Sequence, residues 1–353
     1  MTLRAELMAS LRGEPVEKPV FGVYDWFVEH RDLDWKRFFG LGLAQVNHAT
    51  VTKLLRPHLE IVEEKSPVGC CEVRRDVYWK TDIGELHEWY LGEWRQEHLV
   101  KKPEDYLILA RAFSDADVLP ALDAFTRSEA AVGDGGMTLA VPAVNRTPFQ
   151  AIQIDYAGLE QFSVDIAMEA PELLELIEVM NEVSCREFEQ IRRLPVEHVK
   201  LWENLTLETM GPALYRKYLA PLYRRILGIL GREQKLVVHY DGKLKPIARD
   251  IGDLPFDGVD SLTPPPEGDM TVEEARQAWP DKYLWLHPRL GWYTEDERAL
   301  RGHIRSMVAA AGGKRFCLMI SEDIPHEPAR TIPLVLEELG HVPDRGNAPR
   351  QQK

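Results

Sequence analysis

The chain has 353 residues, 44% of them hydrophobic and 28% charged, which is ordinary globular composition. Its formal net charge of −14 repels phosphate backbones and anionic lipid, so the chain is expected to bind neither nucleic acid nor a membrane surface. No stretch nears the ~18 uninterrupted apolar residues of a membrane span, and the start lacks the apolar core of a signal peptide.

In chain order, TLRAELMASLRG has apolar positions at helical spacing and ends on Gly13, a C-cap signal. PVFGVYDWF reads as a first strand. DWKRFFGLGLAQVNHATVTKLL reads as partly helical, and LEIVEEK (59–65) as a second strand. Residues 66–103 differ: VRRDVYWKTDIGELHEWYL is rich in β-branched and aromatic residues around a turn, so a β-hairpin-like excursion is expected. KPEDYLILARAF resumes helix, and MTLAVPA (137–143) is the next strand. A long helix follows with Pro171 in its first turn, then strand HVKLWENL and a helix that Pro221 should kink or split. KLVVHYD, GVDSLTP, YLWLHP and RFCLMISED supply four more strands, with helical patterns between most of them. Eight strands spaced by helices predict an α/β fold: a (β/α)8 TIM barrel with an N-terminal helix and the excursion between strands 2 and 3. One domain over 1–345 and a flexible polar tail over 346–353 are expected.

The four cysteines, Cys70, Cys71, Cys185 and Cys317, form no CxxC pair, which suits reduced thiols and a cytoplasmic protein. No glycine-rich nucleotide loop and no GxSxG elbow occurs.

In a barrel of this kind the site is built from the C-terminal ends of the strands. Those tips are polar here: Asp25 and Trp26; Trp202, Glu203 and Asn204; His239 and Asp241; His287; Ser321, Glu322 and Asp323. His239 and Asp241 are two apart, so in extended chain they face the same side and suit a metal or a proton transfer. The plain alternative is a core histidine beside a turn-forming Asp-Gly. Asp25 could equally cap a helix, Glu203 and Asn204 could bond a loop, and His287 could be a core histidine. His239, Asp241 and Glu322 could form a nitrogen–oxygen metal site for zinc, manganese or iron. Trp26, Trp202, Trp285 and Trp292 offer flat walls for a planar ligand, although tryptophans are more often core.

The order of these features resembles the uroporphyrinogen decarboxylase superfamily over nearly the whole chain. The resemblance runs through LMASLRGEPVEKPVFGVYDW, TDIGELHEWYL, LWENLTLETMGPALYRKYLAPLYRRI and ISEDIPHEPARTIPLVLEEL. It is strongest in VVHYDGKLKPIARDIGDLPFDGVDSLTPPPEGDM, which is similar to the family's H-x-C-G-N…GVD region. True porphyrinogen decarboxylases carry an arginine-rich signature after the first strand, where this chain has the acidic and aromatic YDWFVEHRDLDW. In the superfamily's thiol-activating methyltransferases, zinc is held by H-x-C and a later Cys. Here His239 matches the His, Asp241 replaces the first Cys, and Glu322 falls at the later one.

The resemblance therefore implies the branch of corrinoid-dependent methyltransferases. Such an O-demethylase would demethylate a small methyl donor, an aryl methyl ether for example, and pass the methyl group to the cobalamin of a partner corrinoid protein. His239, Asp241, Glu203 and Glu322 would be catalytic. Asp25, Trp26, Trp202, Asn204, His287 and Trp292 would line the substrate pocket, and Zn2+ or another divalent metal would sit on His239, Asp241 and Glu322. Two alternatives stay open. One is a decarboxylase of a carboxylic acid, served by a cation such as Lys200, Lys243 or Arg289. The other is a non-catalytic module that binds a tetrapyrrole or a partner. The frequency of isologous dimers among soluble enzymes is the one argument for a homodimer.

Overall fold

The computed structural model describes residues 1–69, 72–205 and 207–342. Cys70, Cys71 and the tail expected at 346–353 lie outside the described residues. Eight parallel strands close a barrel: β1 (Phe21–Tyr24), β2 (Ala44–Thr50), β3 (Gly136–Val141), β4 (His198–Leu201), β5 (Lys235–His239), β6 (Gly258–Leu262), β7 (Tyr283–Leu286) and β8 (Phe316–Met319). β8 returns to β1, with Phe21 opposite Leu318 and Gly22 opposite Met319. The residues of β1, β3, β4, β6, β7 and β8 are all buried. Strands covered on both faces need near-continuous apolar runs, and that is how most of them read.

The second strand is not where the sequence placed it. Glu60–Val68 is almost wholly exposed and forms the edge of a four-stranded antiparallel sheet with Glu72–Thr81, Gly84–Leu91 and Trp94–Glu97. That sheet is the expected excursion between β2 and β3, larger than a hairpin. β2 itself is AQVNHAT, whose polar residues disguise a strand. They are tolerated because each finds a partner: Gln45 bonds Asn47, Asn47 bonds Ser128, and His48 bonds Asp25.

The helices follow their signals. Thr2 caps Leu3–Arg12 and Gly13 ends it in the left-handed region, φ 73°. Pro171 opens the long helix Pro171–Ile191. Pro221 sits in the first turn of Ala220–Leu230, and the helical run before it loosens into a π-helical stretch over Tyr215–Leu219. Among the described residues no helix is long and apolar enough to cross a membrane.

Candidate active site

The C-terminal ends of the strands enclose a cavity of about 590 Å3. Tyr24, Trp202, His239, Asp241, His287 and Glu322 line it, with Trp26, Phe27, Asn145, Arg146, Asn204 and Ser321. Beneath it, inside the barrel, lies Asp260 on β6, with no exposed surface. The register sets His239 of β5 directly beside Asp260, and their side chains meet with Nδ1 2.7 Å from Oδ2. Lys200 of β4, also without exposure, brings Nζ to 2.5 Å from the same oxygen. The other carboxylate oxygen accepts a short hydrogen bond from the Tyr24 hydroxyl, and His287 Nε2 lies 3.6 Å from it.

This company fixes the charges. Burial alone would raise the Asp260 carboxyl, but Lys200 and His239 overcome it and hold the group well below the ordinary carboxylate range. Burial, with Asp260 beside it, pushes the Tyr24 phenol well up, so it stays a donor. Burial also lowers Lys200 against the pull of Asp260. Lys200 lies 3.3 Å from His48 Nε2 and 3.5 Å above the ring of Trp202. An ammonium only donates, so His48 Nε2 accepts and its Nδ1–H faces Asp25 at 2.8 Å. Burial and the Lys200 charge together lower His48 to about 4, which keeps it neutral at pH 7.

At the upper edge a second ion pair forms. His287 Nδ1 is 2.9 Å from Glu322 Oε1, off the line of a hydrogen bond, and Ser261 donates to the same oxygen. Burial pulls His287 down, but Glu322 and Asp260 outweigh it and push the imidazole up to about 9. Glu322, which burial would raise, is brought to about 2 by His287 and Ser261. For Asp241 burial outweighs the pull of His239, 3.9 Å away, and raises the carboxyl. Three residues around this cavity hold left-handed backbone: Asn204 at φ 46°, Ser261 at 73° and Ser321 at 140°. Such conformations persist where the surroundings over-determine them, as functional sites do.

The expected site residues divide as follows. His239, Asp241, Glu322, Trp26, Trp202, Asn204 and His287 all line the cavity. Glu203 does not. Strand alternation turns it away between Trp202 and Asn204, and its carboxylate accepts from the Thr147 hydroxyl at 2.9 Å and the Tyr223 hydroxyl at 2.8 Å. Asp25 lies behind the wall, starting the helix Asp25–His30 and orienting His48. Trp292 also lies off the cavity, stacked on His303 at 4.5 Å, and Trp285 is fully buried in β7.

The metal set His239, Asp241 and Glu322 shares the cavity, but its donors are committed elsewhere. His239 Nδ1 is held by Asp260, His239 Nε2 is 3.9 Å from Asp241 Oδ2, and Glu322 is bound to His287 and Ser261. Among the described residues no group of three or more His, Cys, Asp or Glu is placed to hold a metal ion. As they stand, these side chains do not fit a metal.

Tyr24, His48, Asp260 and Ser261 were not singled out from sequence. Lys200 was, but as a substrate-facing cation rather than a buried partner. The available signal was a charge inside an apolar strand, in HVKL and GVDSL, which is costly unless an opposite charge meets it.

No protein-family profile matches the chain, and no curated protein sequence matches it. Among solved structures, a methyltransferase from Methanosarcina mazei is similar over 96% of this chain and 98% of its own, with a TM-score of 0.58 and 12% identity. A B12-independent methionine synthase from Shewanella sp. W3-18-1 overlays far more loosely, over 72% of this chain and 70% of its own, with a TM-score of 0.39 and 10% identity. The first likeness shows a shared barrel fold along the full length.

Proposed function

We propose that the chain is a methyltransferase-type enzyme that takes the methyl group of a small methyl ether and passes it to the corrinoid of a partner protein. The observation that carries the acid–base part is the His239–Asp260 pair: Nδ1 is held at 2.7 Å, and the ring belongs to the cavity wall, with Nε2 3.9 Å from Asp241. A buried carboxylate that fixes one imidazole nitrogen leaves the other aimed for proton transfer. The methyl-transfer part rests on the sequence resemblance, with the full-length fold likeness beside it.

When docked, the corrinoid would supply the nucleophilic cobalt that receives the methyl group. The chain's own task is the leaving oxygen. As the carbon–oxygen bond breaks, its electron pair stays on oxygen, and an alkoxide or phenoxide leaves badly unless protonated. His239 Nε2 would deliver that proton, with Asp241 beside it as the reserve. Asp260 and Lys200 would keep the ring in place, and Trp202, 4.8 Å from His239 between ring centres, would hold the substrate against it.

A decarboxylase is less well served by Lys200, Lys243 and Arg289. Lys200 is fully buried against Asp260, Lys243 reaches Glu208 at 2.5 Å, and Arg289 lies 3.8 Å from Glu267.

The test is to mix the protein with reduced cobalamin and methyl ethers and follow methylcobalamin by absorbance, with carbon dioxide release from carboxylated compounds measured in parallel. Methyl transfer is expected, falling at least about a hundredfold in His239→Ala. Release of carbon dioxide with no methylcobalamin would replace this reading with the decarboxylase.

A further inference from the structure

We infer that Arg146 is the anion anchor of this cavity, and that the substrate is a small planar acid whose carboxylate lies on Arg146. The inference rests on the proposed methyl transfer only for what happens at the opposite end of the ligand.

Arg146 follows β3 and is the one arginine or lysine among the described residues lining the cavity. Its structural duty is slight: Nη1 donates to the carbonyl of Trp202, tying the β3 loop to the exit of β4. Nε lies 3.4 Å from Asp155 but is buried without a hydrogen bond. No partner for Nη2 occurs among the described residues, and the side chain keeps 15% exposure. A guanidinium carries five donors in a rigid fork, so most of this one is unspent. Asp155 is its nearest counter-ion, and Arg146 pulls that carboxyl down against the burial that raises it.

The rest of the cavity orients an acid in one sense. At the other end Glu322 already matches the His287 cation and Asp241 stands beside His239, so that end offers a carboxylate no unmatched cation. Trp202 joins the two ends: its carbonyl holds Arg146 and its ring packs on His239. The Asn145 and Asn204 side-chain amides, with no partner among the described residues, lie on the same rim. A flat ring laid along Trp202 would present an acid group to Arg146 and its far substituent to His239. Planar apolar walls with a few convergent polar groups are how small-ligand sites combine affinity with orientation.

The experiment is calorimetric binding of 4-methoxybenzoate, 3-methoxybenzoate and benzoate, with 4-methoxybenzamide and methoxybenzene as neutral counterparts. The wild-type protein should bind the acids roughly ten- to a hundredfold more tightly than the neutral compounds. Arg146→Met should erase that preference, and Arg146→Lys should restore only part of it, because an ammonium lacks the paired fork. The comparison of acid with amide needs no variant, so poor folding of Arg146→Met would not blunt it. Equal binding of acids and neutral compounds, or no saturable binding of any acid below about 10 mM, would overturn the inference. Acid-selective binding without methyl transfer would keep Arg146 in this role and remove the demethylase reading. Methyl transfer that is equally good from methoxybenzene would do the reverse.

Discussion

Asp260 and Glu203 are both fully buried carboxylates beside the barrel mouth, and their surroundings drive them in opposite directions. Asp260 faces cations and donors: Lys200, His239, Tyr24 and, farther off, His287. It is held well below the ordinary range despite its burial. Glu203 accepts hydrogen bonds from neutral groups only, the amide and hydroxyl of Thr147 and the hydroxyl of Tyr223, and the charge of Arg146 lowers it less than they do. Burial outweighs these bonds and raises it to about 7. Hydrogen bonds from neutral donors soften the desolvation of a carboxylate, but a full opposite charge is needed to reverse it. Asp260 can therefore serve as a permanent anion that positions His239, while Glu203 exchanges its proton near neutrality and braces the loop carrying Arg146 and Thr147.

The strongest way to break this comparison is to remove one member of the buried pair. Asp260→Asn strands the Lys200 ammonium, and Lys200→Met strands the Asp260 carboxylate. Each should lower unfolding stability in urea by about 3–5 kcal/mol. The double variant removes both charges and should cost clearly less than the sum of the two. Strict additivity would mean that Lys200 and Asp260 do not depend on each other.

Glu203 gives the next largest effect, in pH dependence. Its folded value of about 7 lies above the unfolded one, so the native state holds the extra proton. Its contribution is fully present below the unfolded value, about 4.3, and is lost as pH rises toward 7. The loss amounts to roughly 3 kcal/mol across that window. Glu187, also raised to about 7 by burial, behaves alike, whereas His48 and His198, both lowered to about 4 by burial, gain stability as pH rises. The diagnostic is therefore the stability difference between wild type and Glu203→Gln. It should fall by that amount from about pH 4.5 to pH 7 and then stay level. A difference that does not change with pH would show that Glu203 is ionised throughout.

Much of this was legible in the sequence, and the gaps have a common cause. Seven barrel strands announce themselves because parallel strands are buried on both faces and must be apolar. β2 hides because Asn47 and His48 point to partners supplied by distant segments, with Gln45 bonded in turn to Asn47, and no local pattern records the distant partners. Glu60–Val68 looked like a barrel strand because Leu59, Ile61 and Val62 mimic the start of one. In the site, residues at strand tips were readable by position: His239, Asp241, His287 and Glu322 do meet. Glu203 was misplaced because at a strand exit a single step of alternation separates the cavity from the outer layer. Asp260 and Lys200 sit one layer deeper, within strands, where a charge makes sense only once its counter-charge is known to come from another strand.

The smallest predicted effect sharpens the comparison by changing burial far more than distance. Lys80 and Glu85 pair across the excursion sheet at 3.3 Å, with about half of each side chain open to water (44% and 48%). Lys200 and Asp260 lie at 2.5 Å with 0% and 1% exposure. Water already solvates the surface pair, salt screens it, and two long side chains must be ordered to form it, so such a pair contributes about 0–1 kcal/mol. Lys80→Ala should shift urea unfolding by less than about 0.5 kcal/mol, and raising the salt should shrink even that. A loss approaching that of Lys200→Met would mean that burial does not govern the worth of an ion pair in this protein. The opposite shifts of Asp260 and Glu203 would then need another cause.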